Sequence, residues 1–149
     1  MSDKTRHQLE VPTDHFQVLV GDAKRGPEVD TTHLWDAGGA LVSLKGAPEL
    51  VGLATVREGG ITRVEVDVLP GPFSVGDKWL DLGGFILSVP SGRIILWGPE
   101  VNDLSQAPSL SLPPGRYEGR AFSRGTEAVK DEMAPNGPDE YRIVLWRTE

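Results

Sequence analysis

Short runs of alternating apolar and polar residues, punctuated by glycine and proline, recur along the whole chain. The clearest is residues 61–68. Val64, Val66 and Val68 fall on one face of a strand, and Arg63, Glu65 and Asp67 on the other. That two-residue period belongs to a sheet with one buried and one wet face. Phe16, Val18 and Val20 share a face in the same way. Residues 40–44 and 50–56 give two further strands, and Glu58-Gly59-Gly60 predicts a hairpin turn from the latter into 61–68. Residues 79–82 form a short strand. The apolar runs 84–89 and 93–97 flank Pro90-Ser91-Gly92, which predicts a second hairpin. In "SLSLPPGRYEGRAF", Leu110 and Leu112 alternate with serines, Pro113-Pro114-Gly115 turns the chain, and a strand from Tyr117 to Phe122 follows. Residues 141–146 close the series. About nine short strands with no repeat and no long helical period predict an all-β fold, an antiparallel two-layer β-sandwich. Residues 1–12 read as a flexible N-terminal arm, and 13–149 as a single domain.

Two stretches break the pattern. Residues 21–36 are polar and too long for a simple connection. Residues 123–140 are irregular apart from two turns of helix expected within 126–134, in a fold with at most one or two short helices. Thr126 is a suitable N-cap, Glu127 suits the first turn, and Val129 and Met133 are spaced to share a helical face. Pro135-Asn136-Gly137-Pro138 ends that segment.

Composition narrows the function. At 149 residues the chain can bury a sizeable core, and it has no cysteine. Disulfides, thiolate zinc sites and a cysteine nucleophile are therefore excluded. The segment from Met1 to His7 is polar, without the apolar stretch of a secretory leader, so a cytoplasmic location is expected. The net charge of −7 works against nucleic acid and anionic membrane and favours a basic protein partner.

Candidate chemistry is sparse. His7, His15 and His33 lack metal-ligand spacing, although His15 follows Asp14. Asp22, Glu28 and Asp30 are close enough to consider for calcium, without the spacing of an EF-hand loop. There is no serine-hydrolase elbow and no phosphate-cradling glycine loop. The expectation is a non-catalytic binding protein with no metal and no cofactor. Two surfaces qualify. One is the acidic segment with Glu127, Asp131, Glu132, Asp139 and Glu140, suited to a basic partner. The other is a pair of tryptophans, Trp97 and Trp146, on strand faces shared with arginine. Exposed, they would suit a small-ligand or carbohydrate-binding module.

The order of these pieces resembles a known family. "DHFQVLVGD", a tryptophan loop, "SLSLPPGRYEGRAF", the acidic segment and "DEYRIVLW" together look like the competence protein J family across residues 14–146. Members are small bacterial proteins known as inhibitors of a DNA-entry nuclease. The resemblance implies a non-catalytic inhibitor that sets acidic loops against a basic nuclease, or against another toxin-like partner. It carries no residue-level roles.

Overall fold

The computed structural model describes residues 5–72, 78–100 and 103–148. The strands are β1 (Thr5–Thr13), β2 (Gln17–Asp22), β3 (Leu41–Leu44), β4 (Ala47–Ala54), β5 (Gly60–Leu69), β6 (Leu80–Val89), β7 (Arg93–Trp97), β8 (Ser109–Ser111), β9 (Gly115–Arg124) and β10 (Glu140–Arg147). They form two five-stranded sheets, ordered β1-β5-β10-β9-β6 and β3-β4-β2-β7-β8. The fold is an all-β sandwich, as the alternation predicts. Among the described residues there is no α-helix, only three 3₁₀ turns at Gly26–Glu28, Leu104–Gln106 and Thr126–Ala128.

Four expectations are corrected. Residues 5–12 are not a loose arm. They belong to β1, which pairs with β5 from Thr5 opposite Val68 to Thr13 opposite Gly60. Val11 is fully buried there, and Pro12 is tolerated because β1 is an edge strand. The sandwich is not wholly antiparallel, since β10 runs parallel to β5 from Glu140 opposite Arg63 to Trp146 opposite Leu69. Phe16 is not a strand residue. It sits in the β1–β2 turn at φ 59°, while Val18 and Val20 are buried as predicted. Finally, the three predicted hairpin turns do not join paired strands. Residues 55–59, 90–92 and 112–114 each carry the chain from one sheet to the other. Apolar alternation on both sides of a turn is satisfied equally well by strands that face each other across the core. The hairpin that does form, β3–β4, turns through Lys45-Gly46 with Gly46 at φ 85°.

The inter-sheet core includes Val64, Val66, Leu87, Ile143 and Leu145, with Val68 half-buried against it. Both outer faces are also partly covered. Leu34 and Trp35 from residues 23–40 pack over Leu19, Leu50, Ile95 and Trp97 on the second sheet. On the first sheet, Leu69, Phe122, Val144 and Trp146 cluster beneath Trp79. The pairing of β6 with β9 shifts register between Asp81 and Gly83.

Candidate functional site: a clamped acidic loop at one end of the sandwich

The register brings several connections to the same end of the molecule. They are the β1–β2 turn, the β4–β5 crossover, the start of the chain after β7, and residues 125–139 between β9 and β10. The last is the acidic segment, and it is fastened rather than loose. Its anchor is Arg57 in the β4–β5 crossover, only 1% exposed. Arg57 Nε donates to Asp139 Oδ1 at 2.7 Å, Nη1 to the carbonyls of Gly59 (3.0 Å) and Ala134 (3.2 Å), and Nη2 to that of Ile61 (2.8 Å). A guanidinium out of water needs such a full set of acceptors. The other carboxylate oxygen of Asp139 accepts from the Tyr141 hydroxyl at 3.1 Å, which in turn accepts from Val56 N at 3.0 Å. Burial raises the Tyr141 pKa, and the neighbouring Asp139 carboxylate adds to the shift.

The backbone completes the clamp. Glu58 N donates to Glu132 O at 2.7 Å and Ile61 N to Pro135 O at 2.9 Å. These bonds lie between segments and replace the helical ladder that the Val129 and Met133 spacing predicts. The helix therefore stops at Ala128, and Val129 is extended. Two glycines make the close approach possible. A Cβ on Gly60 (φ 83°) would stand 2.3 Å from Pro135 O, and one on Gly125 (φ 74°) 2.4 Å from Pro138 O.

The sequence-predicted acids divide accordingly. Glu127, Asp131 and Glu132 are exposed. Asp131 caps its own turn by accepting from Met133 N at 2.9 Å. Glu140 is half-buried and accepts from Arg124 Nε at 3.0 Å, while Arg124 lies over the Trp79 ring at 4.2 Å. Asp139 is fully buried in the Arg57 pair, so it holds the loop and meets no partner. Trp97 and Trp146 are buried at 6% and 8% exposure, covered by the packing over the two outer faces. That placement removes them as stacking platforms. Asp22 is also withdrawn from any cation. It is buried, and its carboxylate accepts from Lys24 N, Arg25 N, Ser91 N and Ser91 Oγ at 2.7–3.0 Å. Burial acts to raise its pKa, but these four bonds outweigh it and leave the pKa lowered. Asp30 accepts from Thr32 instead, and His33 pairs with Asp36 at 2.7 Å. Among the described residues no three His, Cys, Asp or Glu side chains gather as a metal site.

Sequence reasoning missed the rest of this end. Glu100 pairs with His15 at 2.7 Å, and its backbone N–H donates to Asp14. Burial pushes the Asp14 carboxyl up; the Glu100 N–H and His15 pull the other way, and the Glu100 and Glu58 carboxylates add to the rise. His15 and Phe16 both take positive φ, 52° and 59°, in a turn closed by Gln17 N to Asp14 O at 3.1 Å. Turns of that shape usually carry Asn-Gly, so His-Phe gave no turn signal.

A second feature lies on the outer face of the first sheet. It is a groove of about 360 Å³ lined by Gln8, Glu10, Arg63, Glu65, Trp79 and Arg124 among others. Acidic and basic residues alternate across its floor, from Glu10 to Arg63 to Glu140 to Arg124.

No family model matches this sequence, and no curated protein does. Two solved structures match over nearly their whole length. One is described as "Crocagin biosynthetic gene J", with TM-score 0.67, 20% identity, and 98% of this chain and 99% of that chain covered. The other is ComJ from Bacillus subtilis, described as an inhibitor of the DNA-degrading activity of NucA. It has TM-score 0.63, 14% identity, and 99% of each chain covered. The chain has the ComJ fold. At these identities the likeness is one of fold, and it agrees with the sequence resemblance to the competence protein J family.

Proposed function

We propose that this protein is a non-catalytic inhibitor that captures a basic protein partner, in the first instance a nuclease, on the acidic end of its sandwich. The observation that carries the reading is the clamped loop. Glu127, Asp131 and Glu132 project from a segment held by Arg57 and by backbone bonds to the β4–β5 crossover. Carboxylates carried on a backbone fixed before binding spare the loop's ordering cost on complex formation and steer a cationic surface from a distance. Glu58 and Glu100 extend the same field, and the net charge is −7. ComJ, which shares the fold, is described as inhibiting a DNA-degrading activity. A nuclease that holds a phosphate backbone offers the complementary basic groove. The reading includes a cytoplasmic site of action. The carbohydrate-module alternative loses its support with the burial of Trp97 and Trp146.

The test is affinity capture from the source cells with the wild-type protein and an Asp131→Lys/Glu132→Lys variant, with bound proteins identified by mass spectrometry and assayed for DNA cleavage. A basic protein retained by the wild type, released by salt, lost with the variant and inhibited in its cleavage supports the reading. A partner that is acidic, or retained equally by both proteins, contradicts it.

A further inference from the structure

Charge brings surfaces together, but the centre of a stable interface is apolar and depleted of charge, with aromatic residues and methionine enriched. Five large apolar side chains are exposed among the described residues: Phe16, Val56, Leu80, Ile86 and Met133. Leu80 and Ile86 belong to β6, an edge strand of the first sheet. The other three come from three separate connections, and all three lie at the acidic end.

Main-chain hydrogen bonds join those connections directly. Thr55 N donates to Phe16 O at 2.8 Å, Phe16 N to Glu58 O at 3.0 Å, and Glu58 N to Glu132 O at 2.7 Å. Val56 lies between the crossover residues Thr55 and Glu58, and Met133 follows Glu132. Phe16 is 37% exposed, Val56 38% and Met133 65%. Phe16 is held by both its N–H and its carbonyl in a turn that an aromatic residue seldom adopts, so its backbone position is fixed before any partner arrives. Acids occur on the same segments: Asp14, Glu58, Asp131 and Glu132 within two residues of one of the three along the chain, and Glu100 bonded to Asp14 and His15, with Lys130 the one exposed lysine in the loop.

We propose that Phe16, Val56 and Met133 form the apolar centre of the contact surface. Their occupant is a cationic protein surface on which an aliphatic or aromatic side chain is ringed by lysine or arginine. The proposal rests on the reading of the acidic end as the partner-binding surface and adds the residues that set the lifetime of the complex. Charge complementarity selects this occupant. A second copy of the chain would bring the same acids face to face, and a nucleic acid or anionic membrane would meet like charge. Met133 suits the position because an unbranched thioether adapts to varied partner surfaces.

The test has two stages. A photo-crosslinking residue is placed at position 16, at position 133 and, as a control, at position 86, and each protein is irradiated in extract of the source cells. Adducts at 16 and 133 to the same basic protein, absent at 86, are expected. No adduct at 16 or 133, or adducts only at 86, overturns the proposal. The crosslinked partner is then purified, and Phe16→Ser, Met133→Ser and Asp131→Lys/Glu132→Lys are compared by binding kinetics. The apolar variants should raise the off-rate about tenfold with the on-rate little changed, as loss of a central anchor does. The charge reversal should mainly slow association. Unchanged off-rates for the apolar variants alongside slower association for the reversal overturn this proposal and leave the proposed function standing. No change in any variant removes both. Should Phe16→Ser fail to fold, Met133→Ser, at a more exposed site, decides the matter.

Discussion

Asp22 shows how a single side chain changes meaning between sequence and structure. Beside Glu28 and Asp30 it looks like part of a cation site. In the fold its carboxylate closes the turn after β2 and reaches Ser91, 69 positions away, at 2.7 Å. No local pattern could announce that contact. Asp22→Asn keeps the size but replaces an acceptor oxygen with a donor facing donors. The expected loss at neutral pH is about 1–3 kcal/mol, read by urea denaturation. The pH dependence follows from the lowered folded pKa. The stabilisation is fully present above the ordinary aspartate value of about 4. It is lost as pH falls through the lower folded value. The gap between wild type and variant should therefore narrow at pH 2–3. A constant gap across that range would show that the charge of Asp22 contributes nothing. The exposed acids behave differently. Glu127, Asp131 and Glu132 were legible because charge in a loop needs no tertiary partner. Asp139 was not, because Arg57, which buries it, stands 82 positions away.

At the scale of elements, the acidic loop depends on its clamp. Removing one member of a buried ion pair typically costs 3–5 kcal/mol, since the other charge is left without a partner. Asp139→Ala should reach that range, and Arg57→Met/Asp139→Leu should recover part of it in thermal or urea unfolding. Gly60→Ala should destabilise by about 1–3 kcal/mol, because the added methyl meets Pro135 O in a backbone conformation alanine disfavours. Hydrogen exchange supplies the local readout. The amides of Glu58 and Ile61, which donate into the loop, should exchange faster in both Asp139→Ala and Gly60→Ala. Unchanged protection would mean that the loop is held by something other than the clamp. Turns and strands were legible here as pieces, and their connectivity was not. Pro90-Ser91-Gly92 and Pro113-Pro114-Gly115 mark real reversals, with Gly115 at φ 152°. Proline and glycine report that the chain turns, yet they do not report which strand receives it.

At the scale of the molecule, alternation revealed the inner faces and understated the outer ones. Val64, Val66, Ile143 and Leu145 face the core as their spacing requires. Val144 and Trp146, on the opposite face of β10, are buried as well, beneath packing that includes Trp79. The irregular residues 23–40 cover the second sheet in the same way. Long connections in this fold act as cladding, which is why two tryptophans that looked like surface features are internal. The N-terminal strand escaped notice for a related reason, since Leu9 and Val11 offer too short a pattern until β5 supplies the partner. Deleting residues 1–13 should uncover the edge of β5 and lower the melting temperature by several degrees or more. A truncated chain that melts like the intact one would return those residues to the status of an arm. The acidic end gathers four connections onto one surface, and it is there that charge, fixed geometry and exposed apolar residues coincide.

The most direct test of the central claim is the salt dependence of association with the captured partner, measured by stopped flow for the wild type and for Asp131→Lys/Glu132→Lys. Exposed charges are screened over about 8 Å at physiological ionic strength. The wild-type on-rate should therefore fall steeply as salt rises, the variant should associate more slowly at low salt, and the two should converge at high salt. An on-rate for the wild type that is flat in salt, or matched by the variant at every salt concentration, would contradict a partner captured by the acidic end.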